Sequence, residues 1–146
     1  MQKIKVKNVR KLICDTPATV EEDETLPEIA LAFCDNPKTR TIYVVDKENR
    51  LKGIITLDDI VEIIFPEVIK IETGYEILHT FRGRCAKEIM IEAPLKVRDE
   101  DNIEEVLKKM LQNGIEEAPV VDEEDRVIGE INLLEILNVW VEKHII

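Results

Sequence analysis

A chain of 146 residues with 45% apolar side chains can form one compact core or two small ones, and with only 4% aromatics that core must be built from Ile, Val and Leu. The net charge of −11 excludes broad nucleic-acid binding, because a phosphate backbone would be repelled, but it leaves room for a local basic pocket that holds a small phosphate. No apolar run is long enough to cross a bilayer, and Met1-Gln2-Lys3-Ile4-Lys5 lacks the apolar stretch of a signal peptide, so the expectation is a cytoplasmic protein that engages no membrane.

The chain repeats itself. The segment from Val44-Val45-Asp46 through Gly53 to Ile60 returns 76 positions later, from Val120-Val121-Asp122 through Gly129 to Ile136. Upstream the offset is 77, which pairs Pro17 and Val20 with Pro94 and Val97, and Leu26, Ile29 and Phe33 with Ile103, Val106 and Met110. Val9 to Ile13 aligns with Ala86 to Met90 at the same offset. The offset changes after Asn36, where one residue of the turn Asn36-Pro37-Lys38 has no counterpart in Asn113-Gly114. A repeat this long implies two packed copies of one unit.

In the first copy, Leu26, Ile29, Ala30 and Phe33 share one helical face. Thr25 caps that helix with Glu28 as capping-box partner, Pro27 suits its first turn, and Asn36-Pro37 ends it. Ile42 to Val45 is a largely β-branched run suited to a strand buried on both faces. Glu48-Asn49 is the turn, and Leu51 to Thr56 the return strand of the hairpin. Asp58 opens a second helix, Asp59 to Ile64, with acid at its positive end. Pro66 interrupts this helix, and the mixed apolar spacing through Tyr75 to Phe81 predicts a linker that packs on the core. The second copy predicts a helix near 102–112, strands at 117–121 and 126–131, and a helix from 133. Its end, Ile136 to Val141 with Ile145 and Ile146, reads either as a helix face covering the core or as a partner-facing surface anchored by Trp140. The domain organisation is therefore a first repeat over 1–64, a linker over 65–84 and a second repeat over 85–146. Each repeat is β-α-β-β-α, an α/β (α+β) arrangement. One repeat alone has a small core, and two facing across a pseudo-twofold axis would bury their sheets together.

Cys14, Cys34 and Cys85 are too few and too scattered for a zinc site, and their odd number argues against a disulfide framework; buried, small and apolar is the expected role. His79 and His144 read as surface residues, without a Cys, Ser or carboxylate pattern that suggests catalysis. Asp58 and Asp59 are sequence neighbours rather than a facing pair of carboxylates. The expectation is a protein that is not an enzyme and holds no metal.

The paired signature resembles a tandem pair of cystathionine-β-synthase (CBS) domains, the Bateman module. Its residues are Val44-Val45-Asp46 followed by Gly53-Ile54-Ile55-Thr56-Leu57-Asp58-Asp59-Ile60, and Ala118-Pro119-Val120-Val121-Asp122 followed by Gly129-Glu130-Ile131-Asn132-Leu133-Leu134-Glu135-Ile136. The resemblance covers about 9 to 140. It implies an intramolecular pair with a cleft between the sheets, a homodimer, and a regulatory ligand containing adenosine: AMP, ADP, ATP, S-adenosylmethionine or an NAD-like molecule. No cofactor is required.

For the first copy, the resemblance implies that Ile54 packs on the adenine and Arg40 reaches phosphate, with Thr39, Ile42 and Tyr43 at the base pocket. The chemistry agrees: the Asp59 carboxylate suits both ribose hydroxyls, the Thr56 hydroxyl and nearby backbone N–H groups suit a ribose oxygen or phosphate, and Arg40 has forked donors. Taken singly, Asp59 reads as a helix-start acid, Thr56 as a strand-end residue and Arg40 as a solvated arginine; their joint placement is what argues for a site. The second copy, with Ile115, Glu116, Ala118, Asn132 and Glu135, departs from the pattern. Glu116 replaces Arg40, Glu130 replaces Ile54, Asn132 replaces Thr56 and Glu135 replaces Asp59. Glu135 keeps a carboxylate that could bind ribose, but Glu116 and Glu130 bring negative charge to where phosphate and adenine belong. The expectation is a first-copy site for the adenine nucleotide and a weaker second site suited to an uncharged or cationic ligand such as S-adenosylmethionine, with output to an unknown effector protein. The competing reading is a structural or interaction dimer whose clefts bind nothing.

Overall fold

The computed structural model describes residues 4–10, 17–66 and 84–145. The elements in chain order are α1 (Val6–Val9), β1 (Thr19–Glu21), α2 (Leu26–Asp35), β2 (Thr41–Val45), β3 (Leu51–Thr56), α3 (Leu57–Ile64), α4 (Ala86–Ile89), α5 (Ile103–Asn113), β4 (Glu117–Val121), β5 (Val127–Asn132) and α6 (Leu133–His144). The result is a mixed α/β fold of two repeats. Cys14, His79 and most of the linker over 65–84 lie outside the described residues. Among the described residues no helix is long and apolar enough to cross a membrane.

The residues form two compact units that do not follow chain order. One contains Ala18–Glu48 with Lys52–Glu92, and the other joins the start of the chain, Asn49–Leu51 and everything from Ala93. Each unit thus contains the short segment, here termed an arm, that precedes the other repeat in the chain.

The unit of the first repeat is built on a sheet of order β1-β2-β3. β1 runs parallel to β2, with Val20 opposite Val44. All five residues of β2 are buried, as its apolar run predicts. The Thr25–Glu28 capping box forms: Glu28 Oε1 accepts the Thr25 N–H at 3.0 Å and Thr25 Oγ1 accepts the Glu28 N–H at 3.4 Å. The capped α2 presents Leu26, Ile29 and Phe33 to Ile42, Val44 and Ile55. The arm adds Ala86 and Ile89 to this core, and it is tied in by Leu26 N–H to Arg84 O (3.2 Å), Ala86 N–H to Glu24 O (2.8 Å) and Lys87 N–H to Glu22 O (2.9 Å).

The second repeat's unit repeats these contacts. β4 and β5 are antiparallel, with Ala118 opposite Ile131 and Val120 opposite Gly129. Val97 bridges Val120 in parallel, the counterpart of Val20 beside Val44. Only a single bridge forms here, and the sequence explains why. In the first repeat the Tyr43 N–H donates to Ala18 O at 3.0 Å; Pro119 stands in the place of Tyr43 and has no N–H to donate. The one-residue difference in the turns has an equally local cause. Gly114 adopts φ +63°, so α5 closes in a left-handed cap, whereas α2 ends on Asn36 with φ −128°. Both hairpin turns place a short polar residue in the left-handed region, Asn49 at φ 66° and Asp125 at φ 65°. In both, the aspartate after Val-Val accepts a backbone N–H two residues on, from Glu48 at 2.9 Å and from Glu124 at 2.9 Å.

The arm of this unit is α1. Val6 and Val9 are fully buried against Ile103, Val106 and Ile131. Val6 N–H donates to Asp101 O at 3.0 Å, Lys7 N–H to Asp99 O at 3.1 Å and Ile103 N–H to Ile4 O at 2.9 Å. These match the first unit's bonds one for one, so Val6–Arg10 is the structural counterpart of Ala86–Met90. That corrects the alignment of Val9–Ile13 with Ala86–Met90. The chain runs seven positions from Arg10 to Pro17 but four from Met90 to Pro94, and the local sequence likeness hid the extra residues. A second correction concerns the cysteines: Cys34 is exposed and Cys85 partly exposed rather than buried.

Gly53 and Gly129 mark where the arms press on the sheets. A Cβ at Gly53 would lie 2.8 Å from the Ile91 carbonyl oxygen and 2.8 Å from Met90 Sδ. A Cβ at Gly129 would lie 2.7 Å from Arg10 Nη1. Because the obstacle at Gly53 includes backbone, Gly53→Ala is expected to destabilise the protein by about 1–3 kcal/mol, measured by urea unfolding. The arm of the second repeat's unit also carries charge: Glu100 accepts from Lys5 Nζ at 2.8 Å and Lys7 Nζ at 2.7 Å. The Lys5 and Lys7 hydrogen bonds hold the Glu100 carboxyl at about 2, below its usual 4.5. A depressed carboxylate contributes stability that is complete above the unfolded value and is lost as pH falls through the folded one. Acid titration between pH 4.5 and about 2 should therefore show an unfolding component that Glu100→Gln removes.

Candidate functional site

In the first repeat's unit the strand–helix junction brings three pieces of chain together. Thr56 is the N-cap of α3, and its Oγ1 accepts the Asp59 N–H at 3.1 Å. The Leu57 N–H donates to Arg40 O at 2.9 Å, which ties the loop before β2 to the start of α3. That loop is held in turn by Thr39 N–H to Asn36 O at 2.8 Å, and Arg40 Nη1 donates to Pro37 O at 2.8 Å. Thr39, Arg40, Thr56 and Asp59 therefore converge on one end of the sheet. Thr39, Thr56 and Asp59 are half-buried and Arg40 is exposed.

Strand alternation divides the remaining candidates. Ile42 is fully buried in the helical core, together with Val44 and Ile55. Tyr43 and Ile54 fall on the opposite face; Tyr43 is fully buried and its N–H is already taken by Ala18 O. Ile54 lies on the face that carries Thr56. The Asp59 carboxylate takes part in no hydrogen bond or ion pair among the described residues, and it sits in the first turn of α3, where the helix dipole favours an anion.

The second repeat's unit has the same scaffold and different chemistry. Leu133 N–H donates to Glu116 O at 3.0 Å, the counterpart of the Leu57–Arg40 bond. Asn132 caps α6, accepting the Glu135 N–H at 2.8 Å, and Glu135 Oε1 accepts the Asn132 N–H at 3.3 Å in return. Glu135 is fully buried, and Glu130 is 5% exposed. Ala118 lies in the core, Ile115 packs against it and Glu116 is exposed. Two residues near these junctions went unread in the sequence. Arg10 lies across Gly129, bidentate to Asp99 at 2.6 and 3.1 Å, with Nη1 donating to Ile128 O at 3.1 Å. Ile91 pairs with Ile54. The only available signal for either was the glycine opposite.

The chain belongs to the CBS domain family, whose model matches residues 7–66 and 86–142. It is similar to a solved CBS domain-containing protein from Thermotoga maritima, 35% identical, over 97% of each chain with a TM-score of 0.79. It is 30% identical over 132 residues to an inosine-5'-monophosphate dehydrogenase of Methanocaldococcus jannaschii; that match covers 90% of this chain but only 23% of the enzyme. A solved structure of the cytosolic domain of the Mg2+ channel MgtE in complex with ATP is 25% identical, with a TM-score of 0.69, over 92% of this chain and 48% of that one.

The cap at Thr56 gives the site a measurable structural signature. Thr56→Val keeps the shape of the side chain but removes the oxygen that accepts the Asp59 N–H. A loss of about 1 kcal/mol in urea unfolding is expected.

Proposed function

We propose that the chain is a cytoplasmic regulatory module that senses an adenine nucleotide of the AMP, ADP or ATP class and has no catalytic role. The nucleotide would bind at the strand–helix junction of the first repeat. Asp59 would accept from the ribose hydroxyls, and Thr56 and the N-terminus of α3 would meet a ribose oxygen or phosphate. Arg40 would pair with phosphate, and Ile54 would carry the base, with Thr39, Ile42 and Tyr43 supplying the backbone around it. The observation that carries this reading is the Asp59 carboxylate, which has no hydrogen bond or ion pair among the described residues and sits in the first turn of the capped α3, whose Leu57 N–H holds the Arg40 carbonyl. ATP bound by the related MgtE domain supports the ligand class.

The second repeat is the weaker site in this proposal. Its carboxylates at Glu130 and Glu135 are buried, and Glu116 stands where Arg40 does. S-adenosylmethionine, a cation without phosphate, fits it better than ATP. The signal would leave through a second copy of the chain or an effector protein seated on the exposed apolar residues of α6, Leu137 and Trp140.

Thermal unfolding with AMP, ADP, ATP, NAD and S-adenosylmethionine tests the proposal. A ligand at about 100 times its Kd should stabilise the protein by roughly 2.7 kcal/mol. Asp59→Ala should abolish that increment for the adenine nucleotide. Glu135→Ala should lower the baseline, because it breaks a buried capping box, yet leave the increment intact. If no compound moves the midpoint, the sensor reading fails and the interaction-module reading stands; if only Glu135→Ala removes the increment, the site belongs to the second repeat.

A further inference from the structure

We infer that Met90 is a peroxide-sensitive catch: its thioether holds the arm of the first repeat's unit, and conversion to the sulfoxide loosens that arm while the other unit stays closed. The Met90 side chain fills the space that Gly53 leaves by having no side chain of its own. A Cβ at Gly53 would stand 2.8 Å from Met90 Sδ, 2.9 Å from Met90 Cγ and 2.8 Å from the Ile91 carbonyl oxygen. Met90 is only partly buried, packed against the core that contains Ala86 and Ile89. Met110, by contrast, is fully buried. The thioether that holds the arm is therefore the one nearer to solvent.

Hydrogen peroxide oxidises a methionine by transferring one oxygen atom. The S–O bond forms as the O–O bond breaks, the sulfur loses two electrons, and the peroxide leaves as water. The product is larger by one atom and is a polar hydrogen-bond acceptor. The space over Gly53 suits neither property. Its floor is strand backbone, and the Ile91 carbonyl already brings an acceptor against it. The N–H groups beside it are committed: Met90 to Ala86 O at 2.9 Å, Ile91 to Ile54 O at 2.9 Å and Ile54 to Ile91 O at 2.8 Å. A sulfoxide oxygen kept in place would go unpaired among these groups, which is costly for a buried polar atom. Turned out to water, it would leave the space over Gly53 empty. Both outcomes weaken the hold of the arm. The second repeat's unit has no such response, because Arg10 fills the space beside Gly129 and a guanidinium has no sulfur to oxidise.

Amide hydrogen exchange on the full chain, before and after treatment with hydrogen peroxide, tests this. Peptide masses locate the sulfoxide, and a thiol added after the peroxide reverses cysteine oxidation. The N–H groups of Ala86, Lys87, Ile91 and Ile54, which tie the first unit's arm in place, should then exchange at least about tenfold faster. Those of Val6, Lys7 and Ile103, which tie the other arm, should keep their rates. Met90→Leu, apolar and close in volume, should show the native pattern with and without peroxide. Met90→Gln, polar and similar in length, should show the oxidised pattern with no peroxide at all. Resistance of Met90 while free methionine in the same solution is consumed overturns the inference, because the sulfur is then out of reach. Oxidation of Met90 with an unchanged exchange pattern overturns it as well, since the arm then tolerates the sulfoxide. Equal acceleration in peroxide-treated Met90→Leu assigns the effect to another residue and also overturns it.

Discussion

The structure depends on the close approach of an arm to a strand glycine in each unit. Each repeat makes a sheet of two or three short strands with a small core, too little to stand alone and open at one edge. An arm from elsewhere in the chain packs against that sheet. In the first repeat's unit, Ile91 pairs with Ile54 while Met90 and the Ile91 carbonyl rest where a Cβ on Gly53 would be. In the other, Arg10 occupies the space beside Gly129. Two small apolar residues ride in with each arm, Ala86 and Ile89 or Val6 and Val9, and complete the core. The glycine of the family signature is therefore not a turn residue. It sits inside a strand because an arm must approach the backbone there.

The same socket is filled by opposite chemistry in the two units. Met90 fills it with a flexible thioether, whose contacts are apolar and adaptable. Arg10 fills it with a guanidinium 11% exposed and bidentate to Asp99, 27% exposed, with a third donor on Ile128 O. A partly desolvated ion pair contributes little against an apolar filling, but removing one partner strands the other. The geometry of the arm is thus conserved while its energetics are not: the first unit's arm is held by packing, the second's by a directional charge pair. Asp99 also takes the Lys7 N–H on its carbonyl, so the pair fixes the arm at both backbone and side chain.

Local features were legible in the sequence because their causes are local. The Thr25–Glu28 box, the buried run of β2, the return strand Leu51–Thr56 and the start of α6 at Leu133 follow from capping chemistry and apolar periodicity within a dozen residues. The arms were not legible. Four-residue helices carry almost no periodic signal, and nothing near Val6–Arg10 announces that its partners are Asp99, Asp101 and Ile103. The alignment failed at the same place, where a similar Lys-containing stretch at offset 77 outweighed the true spacing of Val6 and Val9. Cys34 departs from the usual burial of a free cysteine because it follows the buried Phe33 on α2 and falls off the helix's core face.

One methylene separates the two junctions. Asp59 and Glu135 occupy the third position of their helices, behind the caps Thr56 and Asn132. A glutamate there is long enough to reach back to the cap's own N–H, and Glu135 does so, closing a capping box. An aspartate falls short of it, and α3 has only the forward half of the box, from the Asp59 N–H to Thr56. The longer carboxylate is consequently turned into its own helix and buried, while the shorter one is left at the mouth of the junction. As a sequence difference, Asp to Glu reads as a conservative change that merely extends the reach toward a ribose. In the folded chain it reverses the direction of that reach, because the nearest unsatisfied donor lies behind the glutamate rather than in front of it. At this position the difference between the repeats is a matter of side-chain length acting on the same helix start.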